Sequence, residues 1–93
     1  MIMVKSQIYS LPVEVRNTLL KIRSGFTFSH KKDGSIYKNI EYLLPERSLD
    51  YYREYTVPTP DIKDRGCRRL VIGNKDEIYY TDDHYRTFQQ VIE

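Results

Sequence analysis

Leu11, Val15, Leu19 and Ile22 recur at spacings of four, four and three, which draws one apolar stripe at the helical period. Val13, Glu14, Arg16, Asn17 and Lys21 fall mainly on the other faces. Ser10 offers an N-cap for a helix starting at Leu11, and Pro12 fits the first turn, where its missing N–H is not needed. Gly25 can close the helix in a left-handed conformation. The pattern predicts one helix, about Pro12 to Ser24, whose apolar side covers a sheet. Lys31-Lys32-Asp33-Gly34 reads as a turn, with the lysines in a solvated loop and phosphate contact as their minor alternative. Beyond it come β-prone segments at Tyr51–Val57, Arg68–Ile72, Glu77–Thr81 and Thr87–Ile92, separated by Pro58, Pro60, Gly73-Asn74 and Asp82-Asp83. Their short spacings favour antiparallel connections. The expectation is an α+β domain over residues 1–93: one N-terminal helix packed on a twisted antiparallel sheet, without repeats, linkers or low-complexity tracts.

Composition narrows the class without naming a function. Ninety-three residues, 40% hydrophobic and 30% charged, suit one small globular domain. No run approaches the roughly 18 apolar residues of a membrane span. Met1 to Gln7 has no charged region followed by an apolar stretch, so no signal peptide is expected in this chain, as would hold for a mature secreted form. A net charge of +2 is too mild for a nonspecific coater of nucleic acid, which directs attention to local clusters. The nine tyrosines suit a half-wet sheet, rings inside and hydroxyls reaching water. Cys67 is alone, so no internal disulfide can form, and it is read as a small packing residue.

One local grouping carries chemistry. Glu54, the cluster Arg65, Arg68 and Arg69, and Asp83-His84-Tyr85 lie within one short stretch of chain. A carboxylate can take a proton and an imidazole can give one, while arginines grip phosphate with two parallel N–H groups and stay charged at any working pH. That combination suits metal-free cleavage of RNA, where the 2′-hydroxyl supplies the nucleophile. Strand alternation places Glu54 on the face of Tyr52 and Thr56, opposite Arg53, Tyr55 and Val57. Arg65 and Arg69 would share a face of extended chain, although Gly66 permits a bend. Arg68 has the opposite parity and is read as a surface or salt-bridging residue, with phosphate contact as the alternative. His84 has carboxylate neighbours able to favour its charged form, whereas His30 is read as incidental.

Four ordered blocks then carry a resemblance: Tyr37 to Pro45, Tyr52 to Pro60, Arg65 to Arg69 and Tyr80 to Phe88. Together they resemble the small microbial guanyl-specific ribonucleases, the barnase-like family, and particularly its shorter members. The likeness runs from about Leu11 to Phe88. It implies an endoribonuclease cutting single-stranded RNA 3′ of guanosine, without cofactor or metal, through a 2′,3′-cyclic phosphate. Glu54 would be the general base and His84 the general acid, with Arg65 and Arg69 on the phosphate and Tyr85 donating to it or packing at the sheet edge. Tyr37, Lys38, Asn39, Ile40 and Glu41 would form the guanine loop. There Glu41 accepts from two donors on the guanine edge, backbone N–H groups face its oxygen, and Tyr37 or Tyr85 stacks on the base. Asn39 suits a left-handed turn. Ile40 departs from the pattern, since relatives carry arginine before the glutamate. Some short relatives join their ends by a disulfide that Gln7 and the C-terminal residues cannot form. The resemblance further implies a monomer opposed by an acidic, barstar-like protein inhibitor, acting outside the cell or delivered as a toxin domain to a target cytoplasm. The competing reading is a noncatalytic RNA-binding domain, which needs neither Glu54 nor His84.

Overall fold

The computed structural model describes residues 3–25, 28 and 30–93. It runs β1 (Val4–Gln7), a 3-10 turn (Ile8–Ser10), α1 (Val13–Ser24), β2 (Tyr52–Thr56), β3 (Arg69–Gly73), β4 (Ile78–Thr81) and β5 (Gln89–Ile92). The helix forms nearly where its stripe predicts. Val15 and Leu19 are buried with Val57, Leu70, Ile78, Tyr80 and Val91, and Leu11 and Ile22 pack against them. Gly25 ends the helix at φ 71°, its N–H donating to the carbonyls of Ile22 and Lys21. The start differs from the expectation. Ser10 lies in the 3-10 turn and donates to the Gln7 carbonyl at 2.7 Å, so Pro12 stands at the N-cap with no side-chain cap.

The strands form one sheet in the order β1-β5-β4-β3-β2. β2 through β5 pair antiparallel as the spacings predict, but β1 adds in parallel to β5, so the sheet is mixed. Val4-Lys5-Ser6-Gln7 gives no alternation because this edge strand is largely exposed and has little to bury. Its pairing holds the two ends of the chain together, Gln7 lying opposite Ile92. The Ser6 hydroxyl bonds the Gln89 side chain, and Arg23 meets Glu93 at 2.5 Å. The ends are thus joined by hydrogen bonds and charge where a covalent link is impossible.

Both faces of the sheet are covered. The helix takes one. On the other, Tyr52, Val71 and Tyr79 pack with Leu44 and Tyr51, and Tyr37, Tyr85 and Phe88 lie against them. Tyrosine supplies this second layer, but not by reaching water as expected. The Tyr51 hydroxyl donates to Glu77 at 2.6 Å and that of Tyr52 to the Pro45 carbonyl at 2.7 Å. Burial pushes Tyr52 up to about 12. The register on this face sets Glu54 opposite Val71, and Arg69 between Thr56 and Thr81.

Candidate active site

Glu54 is fixed from both sides of its strand. β3 pairs with one edge of β2. Along the other, Gly34 donates to the Glu54 carbonyl at 2.8 Å, Glu54 to Ser35 at 2.9 Å and Tyr37 to Tyr52 at 2.9 Å. The segment read as a plain turn is therefore a cover for an edge strand, and it delivers Tyr37 beside the carboxylate. The Glu54 side chain is 14% exposed, with its Oε1 3.3 Å from Arg65 Nη2.

Arg65 reaches that position because Gly66 bends the chain at φ 62°. A Cβ there would meet Thr59 Oγ1 at 2.7 Å, so glycine is required by both space and conformation. The Arg65 Nε donates to Thr56 Oγ1 at 2.9 Å. Thr56 in turn gives its hydroxyl and its N–H to Asp33 Oδ1, each at 2.7 Å. Asp33 also faces Arg65 Nη2 at 3.7 Å, with its side chain buried. Asp33 and Thr56 are the members of the site that sequence reasoning missed: Asp33 read only as half of an Asp-Gly turn.

Arg69 is 2% exposed. Its Nη1 donates to the carbonyls of Arg65, Gly66 and Arg68 at 3.3, 3.1 and 2.8 Å. Its Nε is buried without a partner, and so is the hydroxyl of Tyr85. Arg69 lies 5.9 Å from the Tyr85 ring centre. Burial first, and then Glu54, whose carboxylate lies near the hydroxyl but outside hydrogen-bond geometry, raise the Tyr85 phenol well above its usual value, while Arg69 pulls it back. The hydroxyl is therefore a donor at any working pH. Two buried donors without acceptors, beside a carboxylate and a second guanidinium, form a place prepared for an anion.

His84 is exposed on the rim of this place. It and Tyr85 stand at φ 57° and 74°, two successive left-handed residues, a conformation that persists only where surrounding bonds impose it. The His84 N–H donates to the Cys67 carbonyl at 3.0 Å. Asp83 accepts from the hydroxyls of Thr81 and Thr87 and from the N–H groups of Arg86 and Thr87. Against the upward pull of burial, these bonds hold Asp83 down at about 2. Asp83 thus builds the turn that presents His84. The imidazole meets the Tyr85 ring edge-on, 5.0 Å between centres.

Tyr37 and Tyr85 stack on each other at 5.0 Å and 19°. That spacing leaves no room for a base between them, so a base would extend the stack. Burial, then the charges of Glu41 and Glu54, push the Tyr37 phenol up to about 12. Asn39 adopts φ 56° as its residue type suggests. Its side chain closes the loop, with the amide donating to the Leu44 carbonyl at 2.9 Å and the oxygen accepting from Leu44 N–H at 3.1 Å. Asn39 is buried in that structural task, whereas Lys38, Ile40 and Glu41 are exposed around it.

Three residues stand elsewhere than a phosphate site would need. Arg68 points to the helix face, 3.6 Å from Glu14 Oε1, which is the salt-bridging reading of its parity. Cys67 is exposed, not packed, because the bend at Gly66 carries it out of the strand. His30 lines a small cleft of about 140 Å³ with Lys21, Asp33 and Thr56, into which none of Glu54, Arg65, Arg69, His84 and Tyr85 enters.

A model of the ribonuclease family matches residues 4–92. The chain belongs to that family. It is 43% identical over 82 residues to guanyl-specific ribonuclease St of Saccharopolyspora erythraea, covering 88% of this chain and 81% of that protein. Identity to guanyl-specific ribonuclease Sa of Kitasatospora aureofaciens is 45% over 83 residues, covering 88% and 86%. Among solved structures, ribonuclease Sa2 complexed with mononucleotides superposes with a TM-score of 0.96 at 35% identity, over 100% of this chain and 97% of that one. Ribonuclease Sa2 with guanosine-2′-cyclophosphate gives 0.92 at 36%, over 98% and 97%. Membership in this ribonuclease family and the α+β fold therefore stand on sequence and structure together.

Proposed function

We propose that this protein is an endoribonuclease that cuts single-stranded RNA after guanosine, using Glu54 as base and His84 as acid. The observation that carries the reading is the pair of buried, unpartnered donors, Arg69 Nε and Tyr85 Oη, next to the Glu54–Arg65 contact. Glu54 removes the 2′-hydroxyl proton, and the oxygen attacks phosphorus. Arg65, Arg69 and Tyr85 hold the nonbridging oxygens as their charge grows. His84, on the open rim, protonates the departing 5′-oxygen. In the second step His84 takes a proton from water and Glu54 returns one to the 2′-oxygen, opening the cyclic phosphate to a 3′-phosphate. No step calls on a metal ion.

Digesting a short RNA and its all-deoxy counterpart in chelator tests this reading. The RNA should be cut after guanosine, with the cyclic phosphate appearing before the 3′-phosphate, and the DNA should remain whole. Cleavage of DNA, or dependence on added magnesium, would sink the mechanism.

Base choice rests on the Tyr37–Glu41 loop. Glu41→Gln keeps an acceptor but loses the charge that draws two guanine donors. The ratio of cleavage after guanosine to cleavage after adenosine should therefore fall about tenfold or more, in line with ~1.5–3 kcal/mol for a hydrogen bond to a charged group. An unchanged ratio would remove Glu41 from the reading. With Ile40 where an arginine is the family pattern, the parent preference should itself be modest.

The enzyme is proposed to act as a monomer, either outside the cell that makes it or delivered into another cell's cytoplasm; activity in culture fluid against activity in target cells distinguishes the two. A protein inhibitor of the site should be acidic and set a carboxylate on Arg65 and Arg69, the place prepared for phosphate. Its association should be fast and slow steeply with salt. A copurifying inhibitor that is neutral, or bound away from these arginines, would refute that pairing.

A further inference from the structure

Against the guanine loop lies a second cleft, of about 290 Å³, whose lining includes Lys38, Ile40, Tyr42, Glu46, Arg47 and Leu49. None of Glu54, Arg65, Arg69, His84 and Tyr85 contributes to it. Three of the chain's most exposed large apolar side chains gather here: Ile40 at 75%, Tyr42 at 69% and Leu49 at 66%. Exposed apolar groups gathered in one concave place mark a binding surface more often than scattered ones do. Tyr42 adds a separate observation, because it stands at φ 55°. Bulky side chains seldom adopt that conformation, and strain of this kind concentrates at ligand-binding positions. The Tyr42 N–H is tied to the Asn39 carbonyl at 3.0 Å, which fixes the strained residue and projects its ring outward. Two cations and one carboxylate border the cleft, so its rim suits a singly charged phosphodiester.

We propose that this cleft binds the nucleotide immediately 5′ to the cleaved guanosine, with its base on Tyr42 and its phosphate near Lys38 and Arg47. The inference rests on the ribonuclease reading and extends its substrate from one nucleotide to two. Direction follows from the chemistry. The nucleotide 3′ to the cut leaves past His84, which does not line the cleft, whereas Lys38, Asn39 and Ile40 belong both to the guanine loop and to the cleft, so the cleft adjoins the guanosine apart from the leaving nucleotide and suits the RNA on its 5′ side. A base stacked on an aromatic ring gains stability without regard to its identity. The subsite therefore raises the rate on longer RNA without adding a second sequence preference.

The test compares kcat/KM for GpC with that for ApGpC, both cut between guanosine and cytidine, in the parent, Tyr42→Ala, Tyr42→Phe and Arg47→Ala. One stacked base corresponds to roughly 5- to 150-fold, and an exposed ring belongs near the lower end. ApGpC should therefore be cut about tenfold faster than GpC by the parent. Tyr42→Ala should erase that advantage and leave GpC cleavage unchanged, Tyr42→Phe should retain it, and Arg47→Ala should reduce it with increasing effect at low salt. An equal advantage in the parent and Tyr42→Ala, or none in the parent, would overturn the subsite while the ribonuclease reading stands; the patch would then belong to a protein partner. Failure of the parent to cut either substrate would overturn both.

Discussion

Glu54→Gln and His84→Gln should each lower kcat/KM on guanosine-containing RNA by about 10²–10⁴-fold, the usual contribution of a positioned proton-transfer group. Both substitutions should leave a folded protein, for different reasons. Glu54→Gln keeps the side-chain shape and the backbone bonds to Gly34 and Ser35, and loses only the charge facing Arg65 at 3.3 Å. His84 is exposed, and what holds it is its N–H to the Cys67 carbonyl, which any residue other than proline supplies. Its φ of 57° makes His84→Asn the gentler second variant, since asparagine tolerates the left-handed region. His30→Gln is the control. His30 lines a cleft that none of Glu54, Arg65, Arg69, His84 and Tyr85 enters, and its loss should change the rate by no more than about twofold, within the scatter of surface substitutions. Steady-state kinetics paired with thermal unfolding of each variant decides the matter. Equal losses for His30 and His84, or a Glu54→Gln enzyme within about threefold of the parent, would mean that the acid or the base has been misplaced.

The residues that sequence alone placed well are those whose position depends on local periodicity. Glu54 follows the alternation of Tyr52 and Thr56, both buried on its face. Arg68, of opposite parity to Arg69, falls on the helix side and meets Glu14. Gly25 and Asn39 take up the left-handed conformations that their side chains permit. What escaped notice depends on contacts across the chain. Asp33 supports Thr56 from 23 residues away and faces Arg65 from farther still, and no local pattern distinguishes that aspartate from one that merely turns the chain. Arg65 and Arg69 do converge, though not as two residues on one face of a strand: Arg69 opens β3, and Gly66 folds Arg65 back toward Glu54. β1 left no trace in the pattern because an exposed strand can be made of almost anything. The turn that Asp83 builds under His84, through bonds to Thr81, Arg86 and Thr87, was likewise not legible as a local pattern.

Arg69→Ala should cost both stability and activity, and the two losses can be separated. Its Nη1 supplies three backbone carbonyls with a donor, at 2.8 to 3.3 Å, and the residue is 2% exposed. Truncation leaves buried acceptors unsatisfied, each costing ~1–3 kcal/mol where water cannot replace the donor, so a lower melting temperature is expected. The unpartnered Nε is a different matter. It has no partner in the folded chain, and a buried donor left free in this way calls for an explanation that a bound anion supplies. If that acceptor is a nonbridging phosphate oxygen, then well below the melting temperature the variant should still lose on the order of 10²-fold or more in kcat/KM, as for removal of one donor that stabilises developing charge. Arg69→Lys discriminates further. It preserves the positive charge and some of the carbonyl contacts, but an ammonium cannot reproduce the planar fork. Its stability should recover more than its rate. Cleavage of GpC, thermal unfolding and the affinity for guanosine 3′-phosphate, measured on all three proteins, give the answer. A folded Arg69→Ala enzyme with near-parent cleavage and unchanged nucleotide affinity would show that the guanidinium serves only the loop at Gly66, and that the phosphate rests on Arg65 and Tyr85 alone.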